Sequence, residues 1–167
     1  EPDDLWDKYL DPKFRADAPV TRVGYKTDHR GFGFYNSVLV GEVEQPIGFY
    51  GEMSVMEDLG EAYDAYARAG FPPSSYLDAL DKTGIDYMVL YPSACLYTNQ
   101  VPSTRADVAA AYRRAYNDWL SNFCSDTGGR LIGAGALDLR DPAMAAKQAI
   151  RSVKEPGFQA VTINPPP

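Results

Sequence analysis

The sequence predicts an α/β fold built on a parallel sheet, carried here as part of a larger protein. Three observations lead to this reading. Residues 84–164 alternate strand, helix, strand, helix, strand, the pattern of consecutive parallel βαβ units. The chain closes at the tip of the last of these strands, in Asn164-Pro165-Pro166-Pro167, and it opens abruptly on Glu1-Pro2-Asp3-Asp4 with no strand before it. A parallel sheet of three strands would keep two open edges and leave helices with no further strands to cover. Residues 1–167 therefore read as one partial domain. The β-α-β-α-β order fits both an open doubly wound sheet and a (β/α)8 barrel, with right-handed crossovers in either case.

Taken in order, Pro2 to Leu10 reads as a short helix with Pro2 in its first position and acids in its first turn. Leu5, Trp6, Tyr9 and Leu10 share one face, and Asp11-Pro12 ends the helix. Residues 11–73 read as an irregular, hairpin-bearing insertion. Within it Arg22 to Val40 carries alternating β-formers around the turn Thr27-Asp28-His29-Arg30-Gly31, as a hairpin or two short ribbons. Met56, Leu59, Tyr63 and Tyr66 recur at helical spacing in 53–69, a segment stopped by Gly70-Phe71-Pro72-Pro73.

The second half is more regular. Ser74 or Ser75 is placed to cap a short helix bearing Leu77 and Leu80, which Gly84 closes. A buried type of strand is expected over 85–91. Thr104 is placed to cap a long helix, with Asp107 three residues on and a core stripe of Val108, Tyr112, Ala115, Trp119 and Phe123. A second strand is expected over 131–138; its Gly and Ala (Gly133, Ala134, Gly135 and Ala136) suit close approach of a neighbouring layer. Asp141 caps the next helix ahead of Pro142, with Met144, Ala145, Ala149 and Val153 inward. The third strand is expected over 158–164.

Composition narrows the function. The chain has 167 residues, 45% hydrophobic content and a formal net charge of −7, with a pI near 4.6. These values suit a globular domain and argue against nucleic acid or an anionic membrane surface as partner. No apolar run approaches the roughly 20 residues of a membrane span. Cys95 and Cys124 form no C-x-x-C pair and read as free thiols of a reducing, cytoplasmic compartment. No strand is followed by a Gly-rich phosphate loop: Tyr91-Pro92-Ser93-Ala94-Cys95 is not G-x-G-x-x-G, and Gly128-Gly129 precedes a strand. That disfavours a nucleotide- or flavin-binding sheet.

Four stretches together carry a family resemblance. They are Glu1-Pro2-Asp3-Asp4-Leu5-Trp6, Gly84-Ile85-Asp86-Tyr87-Met88-Val89-Leu90-Tyr91-Pro92, Ala115-Tyr116-Asn117-Asp118-Trp119-Leu120, and Arg130-Leu131-Ile132-Gly133 with Leu137-Asp138-Leu139-Arg140-Asp141-Pro142. In this order and spacing they resemble the amidohydrolase-related metalloenzymes, in the branch of aminocarboxymuconate-semialdehyde and aromatic-acid decarboxylases. The resemblance spans residues 74–164 and, more loosely, 1–10. It implies a partial (β/α)8 barrel and, in the intact protein, one divalent metal, Zn or Mn. In that family an acid- or His-x-His pair at the end of the first strand precedes a Glu-Pro, so Glu1-Pro2 would follow such a pair lying upstream of residue 1. The family's further ligands, a His and an Asp, would lie beyond Pro167. The chain's one histidine, His29, falls in the unmatched insertion, so no metal ligand is assigned within this chain.

In a barrel the chemistry sits at the C-terminal ends of the strands. Tyr91, Ser93 and Asn164 are the expected substrate-binding residues, and no catalytic residue is assigned. Cys95 reads as a small buried hydrophobe rather than a nucleophile. Asp138 reads as a strand-end acid bonded to backbone. Arg140 reads as a surface ion-pair partner, with carboxylate recognition as its alternative. His29 reads as an exposed turn residue. Tyr25, Phe32, Phe34, Tyr35, Phe49 and Tyr50 read as a packing or dimer surface, and Glu57, Asp58 and Glu61 as a solvated helix face. The function expected is part of a metal-dependent decarboxylase or hydrolase of a small aromatic or unsaturated acid, in a homo-oligomer. Its alternative is a non-catalytic fragment or binding module.

Overall fold

The computed structural model describes residues 1–2, 4–28, 31–46, 65–66, 68–98, 101–155 and 158–163, with backbone alone for 23–28, 31–36 and 94. His29, Asn164, Phe49, Tyr50, the 53–64 stretch with its acidic run, and the side chains of Tyr25, Phe32, Phe34 and Tyr35 lie outside the described residues.

Helix α1 spans Leu5–Tyr9. It starts later than the sequence pattern suggests, because Pro2 lends its carbonyl to the Leu5 N–H and stays outside the helix. Leu5 and Leu10 are buried, while Trp6 and Tyr9 pack at the edge of the core. Asp11 then caps a 3-10 turn over Pro12–Asp17 by accepting from the Lys13 N–H. The 11–73 segment is more ordered than expected. It carries an antiparallel sheet of β1 (Val20–Asp28), β2 (Gly31–Val40) and β3 (Val43–Pro46). The β1–β2 register runs from Val20↔Leu39 to Asp28↔Gly31, the expected hairpin. A two-residue turn at Gly41-Glu42 adds β3, and Gly41 takes the positive φ that this turn needs.

Helix α2 (Pro73–Thr83) has Pro72, not a serine, at its N-cap. Pro73 takes the first helical position, where a missing N–H costs nothing, and this puts Ser74 and Ser75 inside the first turn. Gly84 closes the helix in the left-handed conformation, as read from the sequence, and the Ile85 N–H returns to the Leu80 carbonyl. Strand β4 is only Met88–Leu90. Residues 85–87 are instead held by Arg130, whose guanidinium donates to the carbonyls of Ile85 and Asp86, both at 3.0 Å, and to the Asp81 carboxylate at 2.6 Å. The expectation of a buried strand fails here: Tyr87 is 65% exposed and Val89 is 44% exposed. Among the described residues no layer covers this face of β4.

After β4 comes the four-residue helix α3 (Ala94–Tyr97), then the long helix α4 (Ala106–Cys124). Thr104 does not cap α4. Arg105 occupies the N-cap position, and Asp107 forks onto its guanidinium at 3.0 and 3.1 Å. The buried face of α4 is wider than the stripe in the sequence. Val108, Tyr112 and Ala115 are buried as expected, Trp119 and Phe123 are half-buried, and Arg113, Tyr116, Asn117 and Leu120 join the interior.

Strand β5 (Leu131–Leu137) pairs in parallel with β4 through Met88↔Leu131 and with β6 (Ala160–Ile163) through Ala134↔Ala160. The third strand thus starts two residues later than expected, and Phe158 sits before it as a buried plug. A Cβ on Gly133 would lie 2.7 Å from the Phe158 ring and 2.9 Å from Leu120, and one on Gly135 would lie 2.7 Å from the same ring. The close approach read into these glycines is therefore real. Helix α5 (Pro142–Lys154) is capped by Asp141, which accepts from the Met144 N–H at 3.0 Å. Its inner face is Ala145 and Ser152, whereas Val153 is 59% exposed, so Val153 does not belong to the core stripe. Helix α4 joins the two sheets: Val38, Val40, Leu5, Tyr112, Tyr116, Ala136 and Phe158 all belong to one buried cluster. Among the described residues no helix is long and apolar enough to cross a membrane.

Candidate functional site at the strand ends

Parallel pairing puts the C-terminal ends of β4, β5 and β6 on one edge of the sheet. The segment leaving β4 turns at Pro92 and enters α3, and there it meets the first residue of the chain. The Glu1 carboxylate accepts from the Ser93 N–H at 3.0 Å, from the Ser93 hydroxyl at 2.7 Å and from the Cys95 N–H at 3.3 Å. Three donors on one carboxylate make a charge-assisted clamp, stronger than a neutral contact. The clamp ties positions 1 and 93 together across the whole first half of the chain. A cavity of about 450 Å³ opens beside it, bordered by Glu1, Trp6, Val20, Val38, Cys95 and Thr98. A larger cleft of about 590 Å³ lies among α4, α5 and the Tyr9–Phe14 turn, lined by no strand-end residue.

Of the expected substrate-binding residues, Tyr91 leaves β4 64% exposed. Ser93 is engaged with Glu1, a partner that sequence spacing does not show. Asn164 lies outside the described residues. Cys95 is buried, as expected, and burial pushes its thiol up to about 11, far from an activated nucleophile. Asp138 follows β5 and accepts from the Arg140 N–H at 3.0 Å, the backbone role expected of it. The Arg140 guanidinium lies 3.3 Å from the Asp138 carboxylate and donates to the Val101 carbonyl at 3.0 Å. This pair is largely buried, not a surface ion pair, and the buried Val101 lends its carbonyl to the guanidinium.

Three residues of this region were not singled out from the sequence. Glu1 is one, legible only as half of a Glu-Pro pair. The others are Arg113 and Asn117, four residues apart on α4 and both fully buried. Their signal is a polar residue recurring at helical spacing within an apolar face, which needs tertiary partners to be tolerated. Tyr116, buried on the same helix, has its phenol pushed upward, first by burial and then by the Glu1 charge. Among the described residues no group of three or more His, Cys, Asp or Glu side chains converges to hold a metal ion. The described residues alone therefore do not fit the divalent metal that the resemblance implies.

Comparison with known proteins places this geometry in context. Residues 18–167 match the sequence profile described as amidohydrolase. Gamma-resorcylate decarboxylase of Polaromonas sp. strain JS666 is 38% identical over 85 residues, 51% of this chain and 25% of the relative. Two solved structures align with a TM-score of 0.47 and 28% identity over 53% of this chain. They are 2,6-dihydroxybenzoate decarboxylase complexed with 2,6-dihydroxybenzoate and 2,6-dihydroxybenzoate decarboxylase from Rhizobium, matched over 26% and 27% of their lengths. The chain spans about a quarter of the length of these relatives.

Proposed function

The chain belongs to the amidohydrolase family, and on that premise we propose that it is part of a (β/α)8-barrel enzyme that removes carbon dioxide from an aromatic carboxylic acid. In this reaction the bond between the ring and the carboxylate carbon breaks. Its electron pair stays on the ring carbon, carbon dioxide leaves, and a proton takes the vacated position. Decarboxylation is preferred over hydrolysis because the curated relative is a decarboxylase. The fold alone does not separate the two chemistries. A divalent metal, Zn or Mn, belongs to this reading, with its ligands outside the described residues. It would supply Lewis-acid polarisation of substrate oxygen.

The observation that carries the proposal is the Glu1 clamp. It holds the start of the chain against the C-terminal end of β4, the edge where a barrel collects its active-site loops. On this edge Tyr91 offers an exposed aromatic face for a substrate ring. Ser93, fixed by Glu1, shapes the rim, and Asn164, next in sequence after β6, completes the proposed substrate-binding set. The same reading makes the protein a cytoplasmic homo-oligomer acting on a small molecule, with the uncovered Tyr87, Val89 and Ile163 side chains facing the rest of the assembly.

The test is incubation of the purified intact gene product with 2,6-dihydroxybenzoate and a panel of other hydroxybenzoates. The expected result is carbon dioxide release matched by formation of the corresponding phenol, together with stoichiometric Zn or Mn by elemental analysis. No turnover across the panel in a metal-free protein would overturn the proposal.

A further inference from the structure

Arg113 lies in the middle of α4 with only 1% of its surface exposed. A guanidinium at that depth is tolerated only when its donors are used. One terminal nitrogen donates to the Cys95 carbonyl and lies 2.8 Å from the Cys95 sulfur. The other donates to Thr98 Oγ1 at 2.7 Å, and that hydroxyl donates in turn to the same Cys95 carbonyl at 2.8 Å. On its other side, the Cys95 N–H donates to the Glu1 carboxylate. Cys95 is thus gripped at both backbone groups, by an anion at its N–H and a cation at its carbonyl. This matches the direction in which the peptide dipoles of α3 are aligned, and hydrogen bonds arranged in series polarise one another.

We infer that Arg113 is a positioning residue. Through Cys95 it holds the Ser93 and Cys95 N–H groups where they fix Glu1, and so sets the place of the rim at the end of β4. Filling the core does not explain an arginine here. A methionine of similar volume would do that without desolvating a charge, and buried charged groups are often replaced by apolar ones at no loss. The kinetic part of the test rests on the decarboxylase reading; the positioning itself does not.

The experiment compares the intact protein with Arg113→Met, Arg113→Lys and Glu1→Gln by amide hydrogen exchange at Cys95 and at Ala134 in β5. In Arg113→Met, exchange at Cys95 is expected to speed up about tenfold, the equivalent of one net hydrogen bond, with Ala134 unchanged. Arg113→Lys is expected to leave exchange at Cys95 about threefold faster than in the unaltered protein, since it keeps the charge but loses the fork that reaches both Cys95 and Thr98. With 2,6-dihydroxybenzoate, Arg113→Met is expected to raise KM about tenfold while kcat stays within about threefold, the pattern of lost binding rather than lost chemistry. Equal acceleration at Cys95 and Ala134, or none at Cys95, would overturn the inference. Should Arg113→Met fail to fold, the exposed Glu1→Gln variant carries the test. Adding Arg113→Lys to it is expected to bring no further acceleration at Cys95, and additive effects would overturn the inference. Absence of turnover in the unaltered protein counts against the proposed reaction and leaves the exchange result standing.

Discussion

Asn117 of α4 meets Ala136 of β5 at two points: its amide nitrogen donates to the Ala136 carbonyl at 3.0 Å, and its amide oxygen accepts from the Ala136 N–H at 2.7 Å. A helix side chain here does for a strand residue what a neighbouring strand would do. β4 pairs with β5 only as far as Gly133, so the buried end of β5 needs another partner. Asn117→Leu is expected to destabilise the protein by about 2–4 kcal/mol, because it orphans a buried donor and a buried acceptor together. Asn117→Asp should cost at least as much at neutral pH, since a carboxylate accepts from the N–H but faces the carbonyl oxygen without a proton. Urea unfolding midpoints of the three proteins check both expectations.

The Phe158 ring lies across Gly133 and Gly135. Gly133→Ala is expected to cost about 1–3 kcal/mol, as overpacked core sites do. The loss comes from contact with Phe158 on one side and Leu120 on the other. Combining it with Phe158→Leu should recover part of the loss, and a thermal-unfolding double-mutant cycle reads the coupling.

Two hydroxyl- or carboxylate-bearing residues before helices have opposite fates. Asp141 caps α5 through the Met144 N–H, so Asp141→Ala should cost about 1 kcal/mol. Thr104 Oγ1 is buried with no hydrogen-bond partner among the described residues. Thr104→Val should therefore be neutral or stabilising, by up to about 1 kcal/mol, because it removes a desolvated hydroxyl and keeps the shape. Chemical denaturation of the two variants separates a cap from a residue that only resembles one in sequence.

Alkaline pH should weaken the fold. Burial raises the Cys95 thiol from 9.0 to about 11, and burial raises the Tyr112 phenol to about 12. Each acid is easier to ionise in the unfolded chain. Between pH 9 and 11 the native state therefore binds more protons than the unfolded state, and stability falls as pH rises through that window. Below pH 9 the Cys95 contribution is fully present. Unfolding midpoints at pH 8, 9.5 and 10.5 should decline, and Cys95→Ala should flatten part of that decline. At pH 8 a thiol reagent should modify Cys95 only at the rate of unfolding, with half-buried Cys124 reacting first.

Much of this architecture is written locally. Gly84 takes the positive φ that ends α2, Asp141 caps α5, Gly133 and Gly135 clear room for a ring, and the apolar run Leu131–Leu137 is a buried strand. Each follows from a rule acting within a few residues. Local rules also misled, where two candidates competed for one task. Pro73 displaced the serines at the start of α2, and Arg105 displaced Thr104 at the start of α4. Val89 has the side chain of an interior strand residue, yet it is exposed, since among the described residues nothing covers that face of β4.

The sequence by itself determined the α/β class and the succession of its parallel strands and crossover helices, which depend on periodicity and breakers that act over a few residues. The family entered as a resemblance carried by four short motifs, and the match over residues 18–167 shows it. Only the tertiary structure decided which residues make the strand-end site. Glu1 meets Ser93 and Cys95 more than ninety positions away. Arg113 reaches Cys95 and Asn117 reaches Ala136 from a part of α4 outside the apolar stripe that periodicity marks. The physical reason is desolvation. A buried charge or amide is tolerated only where folding brings it a partner, and which partner that is depends on contacts between distant segments that no local pattern encodes.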